Sequence, residues 1–191
     1  MSSRKPTWKD VKQVLAEMGA PQLRGVLQDL YGFSARNKEF FHARFLSRQD
    51  HGNHLEPYKV RIQKAVCPKE PWKQDVQLSA GRTAISEFKK ANGNLSDLLS
   101  LMFYYVKCGN DFILEFGDID ESFYDSMEFM FARLVQTLIK QKDKTLASQF
   151  LPQLEAEFER VELIGWGYGD GLTGLLNELK EAFPDLGEAA A

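Results

Sequence analysis

Carboxylates are the residues of this chain most able to do chemistry, and they are concentrated in one run, Glu115-Phe116-Gly117-Asp118-Ile119-Asp120-Glu121-Ser122-Phe123-Tyr124-Asp125-Ser126. Acidic oxygens at that density could hold a divalent cation, and Glu115, Asp118 and Asp120 with a bound water would make a metal-dependent hydrolase. The calcium-loop pattern is not met, because Phe123 stands where that loop requires glycine and Phe129 where it requires a bidentate glutamate. Helix initiation explains the same residues: Asp118 as N-cap with Glu121 three positions on forms a capping box, and Asp120 adds negative charge to the positive end of the helix dipole.

A second motif is Gly165-Trp166-Gly167-Tyr168-Gly169-Asp170-Gly171. Backbone amides at a glycine-rich helix start can cradle phosphate. The spacing fits neither GxGxxG nor a Walker loop, however, and no lysine follows to meet a phosphate. The favoured reading is a turn between helices in which glycines permit close approach, Trp166 and Tyr168 plug the core, and Asp170 caps the next helix.

The third candidate begins at Ser34. On a straight helix Asn37, Arg44 and Arg48 fall within about 40° of one another, flanked by Phe40 and Phe41. A guanidinium beside aromatics needs an acceptor, either a nucleic-acid phosphate or base edge or a carboxylate of this chain. The preceding helix, short turn and Arg36-Asn37-Lys38 opening mimic a helix-turn-helix, but an ordinary αα-hairpin has the same appearance.

Other reactive side chains are sparse. Asp50 is the one acidic neighbour of His51 and His54, and a metal site there is disfavoured. No GxSxG, HExxH or Cys/His nucleophile pattern occurs. Cys67 and Cys108 lack metal-ligand spacing and read as reduced structural thiols. Lys59, Arg61, Lys64, Lys89 and Lys90 read as solvated faces, as do Glu155, Glu157, Glu159 and Glu162. No cofactor is implied.

The elements that must position these groups are helices. Apolar residues recur at helical spacing along nearly the whole length, which places the chain in the all-α class with eight to nine helices arranged as αα-hairpins. Trp8, Val11, Leu15 and Met18 form a first stripe, and Leu23, Val26, Leu27, Leu30 and Tyr31 a second, expected to pair as a hairpin. Helices capped by Ser34, by Ser79 and by Asn94 follow in turn, the last ending at Gly109. The run 112–116 reads as an extended connection. A long helix starts near Ile119, a further stripe runs from Leu146 to Val161 with Pro152 kinking or splitting it, and Leu172 to Phe183 forms the last, before a frayed tail from Gly187.

Residues 1–93 hold 17 Lys/Arg against 9 Asp/Glu and residues 94–191 hold 7 against 18, giving formal charges of +8 and −11. Together with the two prolines of the 68–78 stretch, this suggests a basic subdomain (1–67), a linker (68–78) and an acidic subdomain (79–191), or one compact domain in which the halves neutralise each other. In the second arrangement Asn37 and Arg44 dock against Asp118, Asp120 and Glu121, with Trp166 and Tyr168 nearby. A buried Arg44–carboxylate pair of that kind would lose about 3 to 5 kcal/mol on Arg44→Ala.

No apolar run approaches the roughly 20 residues of a membrane span, and no secretion signal opens the chain, so a cytoplasmic protein is expected. The segments Leu30-Tyr31 through Asn37-Lys38 to Ala43-Arg44-Phe45, Leu55-Glu56-Pro57-Tyr58-Lys59, Met102-Phe103-Tyr104-Tyr105-Val106, Phe116 to Tyr124 and Gly165-Trp166-Gly167-Tyr168 together resemble an uncharacterised bacterial domain-of-unknown-function family of small helical proteins. That resemblance implies a coherent domain and no activity. The expected function is a non-enzymatic interaction or scaffold module that binds a protein partner or itself. Nucleic-acid binding through the basic half and metal-dependent hydrolysis through Glu115, Asp118 and Asp120 are the alternatives.

Overall fold

The computed structural model describes residues 4–49, 53–117, 119–165 and 167–187, so Asp50, His51, Asp118 and Trp166 among the residues singled out above lie outside the described residues. The described chain is helical, without a strand: α1 (Trp8–Ala16), α2 (Ala20–Phe33), α3 (Ala35–Phe45), a 3-10 turn (Asn53–Leu55), α4 (Glu56–Val66), α5 (Leu78–Ala91), α6 (Leu95–Phe116), α7 (Glu121–Gln141), α8 (Lys144–Glu159), α9 (Tyr168–Ala182) and α10 (Pro184–Gly187). The tenth helix is the four-residue turn Pro184–Gly187, between the expected last helix ending at Phe183 and the tail expected to fray from Gly187.

Capping chemistry explains most boundaries. Ser34 and Asn94 accept hydrogen bonds from the backbone N–H of Asn37 and Asp97, as their sequence positions predict. Other starts differ. Asp120, not Asp118, caps α7 by accepting from Phe123 N–H, and Glu121 then falls in the first turn. Ser79 lies inside α5, whose N-cap is Gln77. Asp170 occupies the first turn of α9 behind an N-cap at Gly167. Pro152 lies within a continuous α8.

The largest correction concerns α6. Gly109 does not end it; the helix runs on through the 112–116 segment and stops where Gly117 adopts a φ of 87°. Gly109 has a different task. A Cβ there would lie 2.0 Å from the sulfur of Met127, itself wholly buried, so the glycine lets α7 press onto α6 at this level. Phe112 and Ile113 beyond it are buried, which makes the run a core-facing helical stripe.

Packing is centred on α6 and α7. Both are lined on their inner faces by residues such as Leu99, Met102, Val106, Met127, Phe131 and Leu134, and α4, α5, α8 and α9 close around them. Consecutive helices pair, as α2 with α3, α4 with α5, α6 with α7 and α8 with α9, and α7 also packs broadly on α9. Buried residues from Ala43 to Phe183 belong to a single core that includes both sides of the 68–78 stretch. That stretch folds back on α4, with Gln77 N–H donating to Ala65 O and Gln74 Nε2 to Lys64 O.

The N-terminal helices stand apart. Neither α1 nor α2 contributes a buried residue, α2 leans on α3, and α1 makes no broad contact with any described helix. The expected α1–α2 hairpin is therefore not formed. Its two stripes were correctly amphipathic, but amphipathicity specifies a face and leaves open what covers it.

Gly109→Ala is expected to lower stability by about 1 to 3 kcal/mol through overpacking against Met127. In a chemical-denaturation double-mutant cycle with Met127→Ala, the added Cβ should cost less once the sulfur is gone, giving a coupling above about 0.5 kcal/mol.

Candidate functional site

The stripe on α3 is satisfied locally. Asn37 Nδ2 donates to Leu30 O at 2.6 Å and so ties the α2–α3 turn. Arg44 Nη2 donates to Lys90 O at 2.7 Å near the end of α5, and its guanidinium lies 5.4 Å from the centre of the Phe40 ring. Arg44 therefore docks on a backbone carbonyl of the basic half, and the structure does not bring it or Asn37 to Asp120 and Glu121. The physical reason is proximity: α5 packs on α3, and its last turn offers orphan carbonyls that a cation satisfies well. Asp120 is instead occupied as a cap, and hydrogen bonds from Ser122 and the Phe123 amide hold its carboxyl below the usual value. Among the described residues no group of three or more His, Cys, Asp or Glu side chains is placed to hold a metal.

Of the candidates among the described residues, Tyr168 alone reaches a buried polar network, and its neighbours were not anticipated. Tyr168 Oη donates to Asn110 Oδ1 at 2.8 Å, and Asn110 Nδ2 donates to Glu157 Oε1 at 3.1 Å. Arg160 Nη1 donates to both oxygens of Glu157, while its Nη2 donates to Asp111 Oδ1, which also pairs with Lys107. Three helices, α6, α8 and α9, are pinned at one point. Glu157 is 5% exposed, not a solvated-face residue. A legible signal existed, since Glu157 occupies the same helical stripe as Phe150, Leu154 and Val161.

The chemistry of this network is that of a lock. Burial pushes the Tyr168 phenol far up, so it stays a donor at any ordinary pH. For Asp111, burial pushes upward but is outweighed by the Lys107 and Arg160 hydrogen bonds, leaving its carboxyl below the usual value. Gly169 beside Tyr168 serves the same packing: a Cβ there would lie 2.2 Å from the backbone carbonyl of Glu162, which cannot give way as a side chain could, whereas Gly167 has open space and supplies a φ of 69°.

A second cluster joins α3, α4 and α5. Arg61, read from sequence as solvated, is half-buried and donates to Glu87 at 2.6 Å and Glu39 at 3.3 Å, and Arg36 also reaches Glu87. Nearby, His54 is buried, stacks on Phe88 and pairs through Nε2 with Asp97 at 2.9 Å. Among the described residues every Lys or Arg ion pair joins two residues of the same half of the chain, and the His54–Asp97 contact is the one ion pair that crosses between halves. Among the described residues, then, no Lys or Arg of one half is paired directly with an acid of the other.

Exposed apolar side chains occur at several places among the described residues, including Trp72, Phe129 and Leu163, and a group of them lies on the N-terminal helices. Trp8 is 69% exposed, Val14 59% and Phe33 83%, with Val11, Leu27 and Leu30 also exposed on the same two helices. Single exposed apolar residues are ordinary on a folded surface, whereas a helix that buries no face leaves its whole apolar stripe without a partner. A cleft of about 430 Å³ lies between α8 and α9, lined by Glu155, Phe158, Glu159, Glu162, Leu176 and Lys180 among others. No protein-family model matches the chain, and neither the curated proteins nor the solved structures include a significant match.

Two outcomes follow from the buried groups. Tyr168→Phe leaves the Asn110 carbonyl buried without its donor and should cost about 1 to 3 kcal/mol, measured by thermal or urea unfolding. Burial pushes Tyr58, Tyr104 and Cys108 up to about 12, against ordinary values of 10.0, 10.0 and 9.0. Above those ordinary values the unfolded chain loses protons that the folded chain keeps, so the folded state binds more protons and its stability falls as pH rises. The midpoint of thermal unfolding should therefore decline steadily between about pH 9 and pH 12, and a flat profile there would contradict this burial.

Proposed function

We propose that the chain is a non-enzymatic helical interaction module, cytoplasmic in setting, whose binding face is the apolar side of α1 and α2. The observation that carries this reading is the exposure of Trp8, Val14 and Phe33 on two helices that add nothing to the core. Exposed apolar side chains also occur on core helices, as at Val60, Leu114 and Phe129, but those helices bury their opposite faces whereas α1 and α2 bury none, and leaving such stripes in water is a cost that a partner would remove. The absence of any helix among the described residues long and apolar enough to cross a membrane is compatible with the proposed setting.

A polyanion-binding role is the second reading, favoured by the surplus positive charge of residues 1–93 that no cross-half pairing offsets. It is weakened at its most specific point. Arg36 and Arg44, which would serve as the reading residues of a helix-turn-helix, are bonded to Glu87 and to the Lys90 carbonyl.

Trp8→Asp and Phe33→Asp place charge on exposed positions and should change folding stability by no more than about 0.5 kcal/mol. In affinity capture from cell extract followed by mass spectrometry, both variants are expected to lose the proteins retained by the wild type. Identical retention by variant and wild type would overturn the proposed face, and a low-salt shift of DNA or RNA mobility by either protein would favour the polyanion instead.

A further inference from the structure

Two unsatisfied surfaces of opposite character lie at opposite ends of the chain. The first is α1, nine residues long, with Trp8, Val11 and Leu15 along one side and Lys9 and Lys12 at its margin. On a helix Lys12 follows Trp8 by about 40° and Lys9 by about 100°, so the cations flank one edge of the apolar stripe. The second is the α8–α9 cleft, whose floor is apolar at Phe158 and Leu176 and whose rim carries Glu159 and Glu162. Lys180 engages Glu155 at 2.8 Å, but neither Glu159 nor Glu162 is in an ion pair among the described residues, and the same holds for Lys9 and Lys12.

The match is one of both charge and polarity. A basic amphipathic helix is the complement of an apolar groove with an acidic rim, the mode in which helices commonly dock into grooves. Within one chain neither surface covers the other, since Trp8 and Val14 stay exposed. The halves carry net charges of +8 and −11, and among the described residues no Lys or Arg ion pair joins one half to the other.

We infer that α1 of one copy docks in the α8–α9 groove of a second copy, so that the chain self-associates by exchanging its N-terminal arms. This rests on the reading of α1 as a binding face and names its partner. A nine-residue helix alone falls short of the roughly 800 Å² per partner of a standard interface, and reciprocal exchange doubles the contact and closes it as a dimer. One-way docking would leave an arm and a groove open and run on as a chain.

The test is sedimentation equilibrium on the full chain with two charge-reversed variants, Lys9→Glu/Lys12→Glu in the arm and Glu159→Lys/Glu162→Lys in the groove. Wild type should show twice the 21.8 kDa of one chain at low salt and return toward that mass as salt rises. Each variant alone should remain at single-chain mass, with an unchanged far-UV circular dichroism spectrum. An equimolar mixture of the two should restore the doubled mass, because each arm then meets a groove of opposite sign. A wild type at single-chain mass under all conditions overturns the inference, and so does a dimer indifferent to both variants or a mixture that stays monomeric. A monomeric wild type whose capture of other proteins still depends on Trp8 would overturn self-docking alone. A chain that binds nothing through Trp8 would remove the interaction-module reading with it.

Discussion

Asn110 sits in the middle of the longest helix with no exposure to solvent, and an amide in that place can persist only if both of its ends are bonded. Tyr168 supplies the donor and Glu157 the acceptor, which fixes the register of α9 and α8 against α6 at once. Glu157 is in turn a tolerable buried carboxylate because Arg160 grips both of its oxygens. The close approach of Gly169 to the carbonyl of Glu162 lies beside this junction, and Gly109 against Met127 is the separate close contact of α6 with α7. Apolar stripes alone could let α8 and α9 slide by a turn, whereas the polar junction permits one arrangement.

Charge is segregated along the chain and stays segregated after folding. Cations of the first half find their partners nearby: Arg61 and Arg36 share Glu87, and Arg44 takes a carbonyl. Acids of the second half are partly answered by Lys107, Lys144, Arg160 and Lys180. Short sequence separations and helix-to-helix neighbours therefore win over the long-range pairing that the overall totals suggested. The result is a chain whose net charge changes sign between its two halves, +8 over residues 1–93 and −11 over residues 94–191.

Much of the fold was legible from periodicity. The stripes on α4 through α9 are present and buried, and Ser34 and Asn94 cap as their chemistry dictates. Failures have specific causes. Phe112-Ile113-Leu114-Glu115-Phe116 reads as an extended connection when Gly109 is taken as a stop, but a glycine with ordinary helical backbone geometry can mark a close contact as readily as an end. Asp118 and Asp120 both fit a capping pattern, and the choice between them depends on where the preceding turn leaves the chain, which local sequence does not specify. Glu157 was hidden by its acidic neighbours, although its spacing from Phe150 and Leu154 was that of a core position. For α1 the stripe was visible, yet whether a stripe is covered by the same chain is a tertiary fact.

The exposed connection between α4 and α5 carries a mechanical consequence. Trp72 and its neighbouring lysines stand in water there, while the helices on either side pack on each other and share the core. A protease that nicked this strap would sever the polypeptide without separating its pieces, which the shared core and contacts such as Arg61–Glu87 and Arg44 to the Lys90 carbonyl would hold together. The chain is thus arranged as a ready-made two-fragment complex, suited to being divided and reassembled from separately produced parts.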